Sequence, residues 1–226
     1  MADYLLHAFV TLLVTIDPIG LAPIFVSLTS GMTPLQRRQT GIRATITSAA
    51  ILFAFALVGH RLIGLLGISI PAFRIAGGLL LFSTAFEMVF ERRDKRKAET
   101  AGRALQGQLT DSRAASLDDD DVRRLAVFPL AIPLIAGPGA ISATILIASG
   151  APGPLATAGL LAIIAGLILS CLVAFLLAGR LDRLLGETGR VVLSRLLGVL
   201  LAALSVQFVA DGVVALAKSA GMVAGH

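Results

Sequence analysis

Two proline- and glycine-containing stretches carry the residues of this chain whose types and spacing could support chemistry. One runs from Asp17 to Pro23 (DPIGLAP), and the other runs from Ala136 to Ser142 (AGPGAIS), about 120 residues later. Each interrupts an apolar run of membrane-spanning length. Proline and glycine there release backbone donors and acceptors that lipid cannot satisfy, so protein or a water-filled cavity must cover them. The pair predicts a central ligand site between two interrupted helices.

Asp17 places a carboxylate near the centre of the first apolar run. An ionised carboxylate there costs at least about 2.5–3.5 kcal/mol on insertion scales, so it must face the interior, bind a cation or donor, or be protonated. Two roles stay open and are compatible. The carboxylate caps a half-helix that begins at Pro18, or it contacts a ligand. Half-helix N-termini favour anionic groups, whereas freed carbonyls favour cations.

The candidate substrate-binding residues combine both breaks with polar groups on other spans. They are Asp17, Pro18, Gly20, Pro23, Gly137, Pro138, Gly139, Ser142, Thr144, Glu87 and Gln207. For hydroxyls such as those of Ser142 and Thr144, the competing interpretation is a hydrogen bond to the carbonyl four residues earlier. For Glu87 and Gln207, it is an interfacial or interhelical hydrogen bond.

Arg74 and Arg195 occupy matching positions in the two halves of the chain and are predicted to lie at opposite membrane faces. Long basic side chains at such positions commonly anchor a helix by reaching the interface. Ion pairs that gate a central site are the alternative.

No residue pattern predicts catalysis, a cofactor or a metal site. Cys171 is the single cysteine, and His7, His60 and His226 are far apart, which excludes an internal disulfide and a multi-cysteine zinc site. The sequence has no H-E-x-x-H motif, no Ser/His/Asp set and no carboxylate pair in its apolar runs. We therefore expect a protein that is not an enzyme.

Composition predicts a polytopic membrane protein. Of 226 residues, 56% are hydrophobic and 15% are charged, against roughly 25% charged in soluble domains, and the mean hydropathy is +0.89. The net charge of +5 does not indicate nucleic-acid binding, because the basic residues flank predicted spans. The bilayer is thus the first expected partner.

Six apolar runs are long enough to cross a bilayer, at 5–29, 42–60, 69–90, 126–148, 155–178 and 191–217. All 19 lysines and arginines except Arg61, Arg74 and Lys218 lie in or beside the connections on one side. That excess marks the cytoplasmic side, which predicts a bacterial inner-membrane protein with both termini periplasmic. The N-terminus lacks a basic n-region, so we interpret the first run as a retained span.

The chain repeats itself weakly. Gly20 and the pair 30–31 match Gly139 and the pair 149–150, and residues 61–67 match 180–186, both at an offset of 119. Residues 74–80 match 195–201 at an offset of 121. Because each half holds three spans, the second half enters from the opposite face. We therefore predict an all-α fold of two inverted three-helix repeats, with spans one and four broken mid-membrane.

The predicted organisation is a first repeat at 1–90, a charged cytoplasmic linker at 91–125, and a second repeat at 126–226. The linker holds most of the polar sequence, including the run Asp118 to Asp121. A solvated connector is one interpretation. A regulatory, ion-binding or partner-binding segment is the other.

Four segments together resemble the MarC family of bacterial inner-membrane proteins. They are TIDPIGLAPIF at 15–25, PAFRIAGGLLLF at 71–82, PLIAGPGAI at 133–141, and the Val206–Gly212 ending. The linker is long and charged for that family. The family is distantly similar to the lysine-exporter superfamily, whose members move amino acids or metal ions through six-span inverted repeats. The resemblance implies transport but assigns neither cargo nor catalytic residues.

The resulting hypothesis is a secondary transporter, an exporter of a small polar solute or ion with its site at the two breaks. The sequence lacks a phosphate-binding G-x-x-x-x-G-K-[ST] stretch, so an ion gradient or a partner would supply energy. The alternatives are a scaffold or sensor that binds a cytosolic partner through the linker, and an embedded enzyme acting on a lipid-linked substrate. Glycine- and alanine-rich faces leave homo-oligomers open.

Overall fold

The computed structural model of this protein describes residues 1–90, 99 and 126–219. Nearly all of these residues are helical, and no β-strand occurs among them, so the all-α prediction is confirmed. Apart from Glu99, the predicted linker at 91–125 lies outside the described residues. Its predicted roles therefore stay predictions.

Within residues 1–90 and 126–219, seven helices and one irregular helical segment follow one another. They are α1 (Ala2–Ile16), α2 (Pro18–Leu28), α3 (Pro34–Leu65), α4 (Ile70–Val89), the bent segment (Ala126–Ile135), α5 (Pro138–Ser149), α6 (Pro154–Leu176) and α7 (Ala178–Ser219). The bent segment has extended backbone angles at Phe128 and Ile132, and α7 is interrupted at Gly186, where φ is 59°.

Prolines determine where five of these helices begin. Pro18, Pro34, Pro71, Pro138 and Pro154 each occupy the first or second helical position. The first amides of a helix have no intrahelical acceptor, so a residue without an N–H is tolerated there, and its fixed φ already suits the helix. These five prolines therefore mark helix starts, whether they lie within an apolar run or just before one.

The described helices include five that are long and apolar enough to cross a membrane. They are Ala2–Leu28, Pro34–Leu65, Ile70–Val89, Pro154–Leu176 and Thr188–Ser219. The bent segment and α5, inclined at 58° to each other, make a sixth if they form one span. These ranges correspond to the six predicted runs.

Helix α3 begins well before the run predicted at 42–60. Its start is fixed by a capping box. Thr33 Oγ1 accepts a hydrogen bond from the backbone N–H of Gln36 (3.3 Å), and the side-chain oxygen Oε1 of Gln36 accepts one from the backbone N–H of Thr33 (3.0 Å). Arg37 is therefore helical, and its guanidinium donates to the carbonyl of Thr29 at 3.3 Å. A search for apolar length alone misses such a polar first turn.

The two halves of the sequence share one core. Helix α4 makes its most extensive interface with α7, and α3 packs on α6, on α5 and on the bent segment. Helix α2 packs on α6 and α7, while α1 packs on α5, α6 and α7. Contacts between sequence neighbours such as α3 and α4 are much smaller. The break in α1–α2 is thus surrounded by helices of the second half.

Two glycines bring α4 and α7 into backbone contact. A Cβ built on Gly78 would lie 3.0 Å from the carbonyl oxygen of Ser205 and 2.7 Å from Val209 Cγ2. A Cβ built on Gly198 would lie 3.2 Å from the carbonyl oxygen of Ala85 and 3.1 Å from Val89 Cγ2. Small residues permit this close approach between membrane helices. The second contact repeats the first at an offset of 120 residues.

We expect Gly78→Ala to lower stability by about 1–3 kcal/mol, the usual cost of overpacking a close interface. The new methyl group would overlap backbone atoms of α7, which cannot move without separating the helices. Gly166→Ala is the matched control, because Gly166 is exposed on α6 and a Cβ built on it would meet no atom of another helix within 4 Å. Thermal unfolding in mild detergent should show a loss for Gly78→Ala alone, and equal melting of both variants would contradict the predicted contact.

Candidate functional site

Asp17 separates α1 from α2 in a left-handed backbone conformation, with φ 55° and ψ 69°. Aspartate is one of the few non-glycine residues that visits this region readily. Its amide donates to the carbonyl of Leu13 (2.9 Å), and its carboxylate Oδ1 accepts from the amide of Gly20 (3.0 Å). The geometry is that of a helix N-cap, which is one of the two roles expected from the sequence.

The neighbours of Asp17 contribute backbone shape. A Cβ on Gly20 would lie 2.8 Å from the carboxyl carbon of Asp17, so a side chain there would displace the capping carboxylate. Pro18 is buried as the first residue of α2, and Pro23 is half-buried inside that helix. Among these predicted residues, Asp17 alone presents a polar side chain, and it is only 5% exposed.

A cavity of about 370 Å³ lies beside this break. Its lining comes from three parts of the chain: the α1–α2 junction, α6 and α7. The residues are Leu13, Asp17, Pro18, Ile19, Ser170, Val173, Ala174, Leu177, Leu193 and Leu197. Asp17 and Ser170 are the polar members of this set. The structure thus brings a buried carboxylate to the wall of an otherwise apolar chamber.

Sequence reasoning missed Ser170. It lies inside the uniformly apolar fifth run, and its hydroxyl donates to the carbonyl of Leu167 at 2.7 Å. No local motif marks it, because the chamber forms only when α6 packs against a break more than 140 residues earlier.

Helix dipoles largely cancel at Asp17. The C-terminus of α1, which carries partial negative charge, meets the N-terminus of α2, which carries partial positive charge. The two partial charges have similar magnitude and opposite sign. The two helix termini therefore contribute little net field beside Asp17.

The second break lies between the bent segment and α5. Gly137 precedes Pro138, the first residue of α5, and caps it without a side-chain hydrogen bond. A Cβ on Gly137 would lie 2.6 Å from the carbonyl oxygen of Pro133, so the chain turns back closely on itself there. Pro138 is exposed, whereas Gly139 is half-buried.

The two breaks approach each other without sharing the cavity. A Cβ on Gly139 would lie 3.9 Å from Thr15 Cγ2, two residues before Asp17, and 3.3 Å from Thr84 Oγ1. Ser142 is buried and lies beside Gly77, whose built Cβ would be 3.6 Å from Ser142 Cβ. None of these second-break residues lines the Asp17 chamber.

The remaining predicted polar residues lie elsewhere. Thr144 donates to the carbonyl of Ala140 at 2.7 Å, the back-bonded arrangement considered as its alternative. Gln207 is exposed and donates to Asp211 Oδ1 at 2.7 Å, so it is paired within α7. Glu87 is half-buried on α4. None of the three lines the chamber.

Arg74 is half-buried near the start of α4, whereas Arg195 is exposed on α7. Neither contributes to the lining of the chamber. The Nε atom of Arg74 is buried and has no hydrogen-bond partner within the part of the chain that the structure describes. Their assignment as anchors or gates stays a prediction.

The second break offers a sharp stability test. We expect Gly137→Ala to destabilise the fold by about 1–3 kcal/mol, because its methyl group would collide with the fixed carbonyl of Pro133. Gly139→Ala should change stability much less, since its methyl group would meet mainly side-chain atoms. Denaturant or thermal unfolding of both variants checks this ranking. A Gly139→Ala protein that is the less stable of the two would refute the described turn.

Comparisons with known proteins agree on one family. Residues 2–217 match the family described as MarC family integral membrane protein. The UPF0056 membrane protein MJ0972 of Methanocaldococcus jannaschii is 36% identical over 96% of this chain and 90% of its own length. UPF0056 membrane protein YhcE of Escherichia coli is 35% identical over 91% of this chain and 89% of its own length. UPF0056 membrane protein YvbG of Bacillus subtilis is 32% identical over 94% of this chain and 95% of its own length.

No solved structure gives a significant match to the chain. The family match spans nearly the whole sequence, and these relatives are covered along nearly their whole lengths. The chain therefore belongs to the MarC family of integral membrane proteins.

Proposed function

We propose that this protein is a secondary transporter that exports a small solute or ion, with the Asp17 chamber as its substrate site. The observation that carries the proposal is a buried carboxylate at a helix interruption, on the wall of a cavity about 370 Å³ in volume. Interrupted membrane helices commonly form transporter sites. The names of the relatives specify a membrane protein and no activity.

The packing of the helices supports an inverted repeat. Let α1 correspond to the bent segment, α2 to α5, α3 to α6, and α4 to α7. Exchanging the halves then turns the α2–α6 interface into the α5–α3 interface, and the α1–α6 interface into that between the bent segment and α3. It also turns the α2–α7 interface into the α5–α4 interface. All six of these interfaces are present in the structure. The contacts of Gly78 and Gly198 repeat in the same way. Such exchange symmetry is what a pseudo-two-fold axis produces.

The charge distribution gives the proposed orientation. Leu177 and Leu193, which line the chamber, lie in the sequence on either side of the connection between α6 and the membrane-spanning part of α7. That connection is rich in arginine, which favours the cytoplasmic side of an inner membrane, with both termini periplasmic. A solute would then enter the chamber from the cytoplasm, which is the loading direction for export.

In the proposed mechanism, the two repeats rock around the fixed Asp17 site and expose it to each side in turn. Asp17 keeps α2 capped while it contacts the solute, so the helix ends stay in place during the exchange. Gly78 and Gly198 would make the close α4–α7 contact between the two repeats the pivot of this movement.

Reconstituted flux tests this proposal. Purified protein in proteoliposomes should move at least one member of a panel of amino acids, small amines, organic acids and divalent metal ions faster than protein-free vesicles. The transported solute should compete with its own unlabelled form, as expected for a saturable site. Protein that is helical and monodisperse, yet moves no panel member above the vesicle background, would overturn the proposal for this panel of solute classes.

A further inference from the structure

We infer that the Asp17 chamber takes a small organic cation whose positive N–H-bearing group pairs with Asp17 and whose apolar body fills the remaining space. This inference rests on the proposed function, in which the chamber is the substrate site. It narrows the solute from the polar classes expected from sequence to ammonium- or amidinium-type compounds with a hydrocarbon portion.

The lining favours an apolar ligand body. Eight of the ten lining residues are apolar, and they come from the α1–α2 junction, α6 and α7. A strongly hydrated solute would exchange water for hydrocarbon over most of its surface, which is unfavourable without compensating hydrogen bonds. An apolar ring or short chain gains from the same contact.

Both polar groups of the lining favour a ligand that donates hydrogen bonds. The Asp17 carboxylate is an acceptor, and carboxylate oxygens accept several hydrogen bonds at once, so capping Gly20 is compatible with pairing to a cation. The Ser170 hydroxyl commits its proton to the carbonyl of Leu167, which leaves its oxygen as an acceptor. A ligand with N–H groups complements this pair, whereas a carboxylate ligand would be repelled.

The electrostatics favour a positive charge. Because the dipoles of α1 and α2 oppose each other at Asp17, the helix termini add no net positive field that would favour an anionic ligand. The carboxylate is only 5% exposed, so bulk solvent screens it weakly. The cavity volume of about 370 Å³ is near the lower end of the roughly 300–1,000 Å³ range of ligand pockets. A single-ring cation is a suitable probe.

Benzamidine, benzamide and benzoate test charge at nearly constant shape, because they carry a cation, no charge and an anion on the same ring. Their binding to the full-length protein in nanodiscs can be measured by calorimetry. We expect saturable binding of benzamidine and binding about tenfold or more weaker for benzamide and benzoate, as a charge-assisted contact implies.

Substitutions in the lining test whether benzamidine binds in the chamber. Asp17→Asn should weaken benzamidine binding about tenfold or more while leaving the weak benzamide binding unchanged, since only the charged contact is removed. Ser170→Ala should weaken benzamidine binding by a smaller factor. Asp3→Asn is the matched control, because Asp3 is exposed near the N-terminus and should leave binding at the wild-type level.

Two results would overturn the inference: benzoate or benzamide binding as tightly as benzamidine, or benzamidine binding that is unchanged in a folded Asp17→Asn protein. A third result would overturn the inference but leave the proposed function standing. It is Asp17-dependent flux of a polar amino acid or metal ion by a protein that does not bind benzamidine. Asp17-dependent benzamidine binding, with no flux of any panel solute, would support the chamber's ligand class and overturn the proposed function.

Discussion

Asp17→Asn will reduce solute flux by about 30-fold or more, because removing one charge of a buried pair typically costs about 2–5 kcal/mol. The protein should nevertheless insert and unfold close to wild type. Asparagine can still accept the hydrogen bond from Gly20, and it tolerates the left-handed backbone observed at this position. The substitution therefore separates the charge of Asp17 from its capping role.

Asp17→Ala supplies the contrast. Alanine removes the N-cap, at about 1 kcal/mol, and must adopt a left-handed conformation at roughly 1–2 kcal/mol more. We expect this variant to lose both stability and flux, whereas Asp17→Asn loses flux alone. Proteoliposome flux and thermal unfolding of the two proteins make the comparison. A stable Asp17→Asn protein with wild-type flux would remove the carboxylate from the mechanism.

Filling the chamber is predicted to have the second large effect. Val173 lines the cavity and is 46% exposed, so tryptophan at this position can enter the chamber without replacing a buried core residue. We expect Val173→Trp to lower flux about tenfold or more, since overlap with a bound solute costs at least as much as the 1.4 kcal/mol that corresponds to tenfold.

Leu169→Trp is the matched control for this prediction. Leu169 lies one turn earlier on α6, is 60% exposed and does not line the chamber. Flux should fall for Val173→Trp and stay near wild type for Leu169→Trp, with both proteins assayed at equal density in the vesicles. An equal loss in both variants would point to damage to α6, and no loss in either would contradict a transport route through the chamber.

Sequence reasoning identified the helical spans because their signal is local. Long apolar runs are typical of membrane helices, and all six predicted ranges have helical counterparts in the structure. The start of α3 was missed because the capping box at Thr33 extends the helix through polar residues. Hydropathy reports on the solvent that a segment prefers, whereas capping determines where the helix begins.

The register of the proposed repeat is less well determined by sequence than the helical spans are. Sequence matching paired Gly77 with Gly198, at an offset of 121. In the structure, Gly78 and Gly198 make matching contacts at an offset of 120, because Gly78 meets residues 205 and 209 and Gly198 meets residues 85 and 89. Glycine and leucine recur so often in these spans that letters alone leave the register ambiguous by one residue. Backbone contact favours the offset of 120 for the proposed repeat, since a one-residue shift rotates a helix by about 100°.

The candidate site was predictable only in part. Asp17, with its neighbouring proline and glycine, has a local signature that marks both a helix break and a buried charge. Ser170 and the apolar walls have none, because the chamber depends on how α6 and α7 pack against that break. The direction of Gln207 depends on the rotation of α7, and its side chain pairs with Asp211 outside the chamber.

The most direct test of the account is counterflow of labelled benzamidine into proteoliposomes preloaded with unlabelled benzamidine, with wild-type and Asp17→Asn proteins compared at equal density. We predict a transient accumulation of label in wild-type vesicles and only the protein-free background in Asp17→Asn vesicles. Equal accumulation in both proteins, or none above background in wild-type vesicles whose protein binds benzamidine, would contradict transport through the Asp17 chamber.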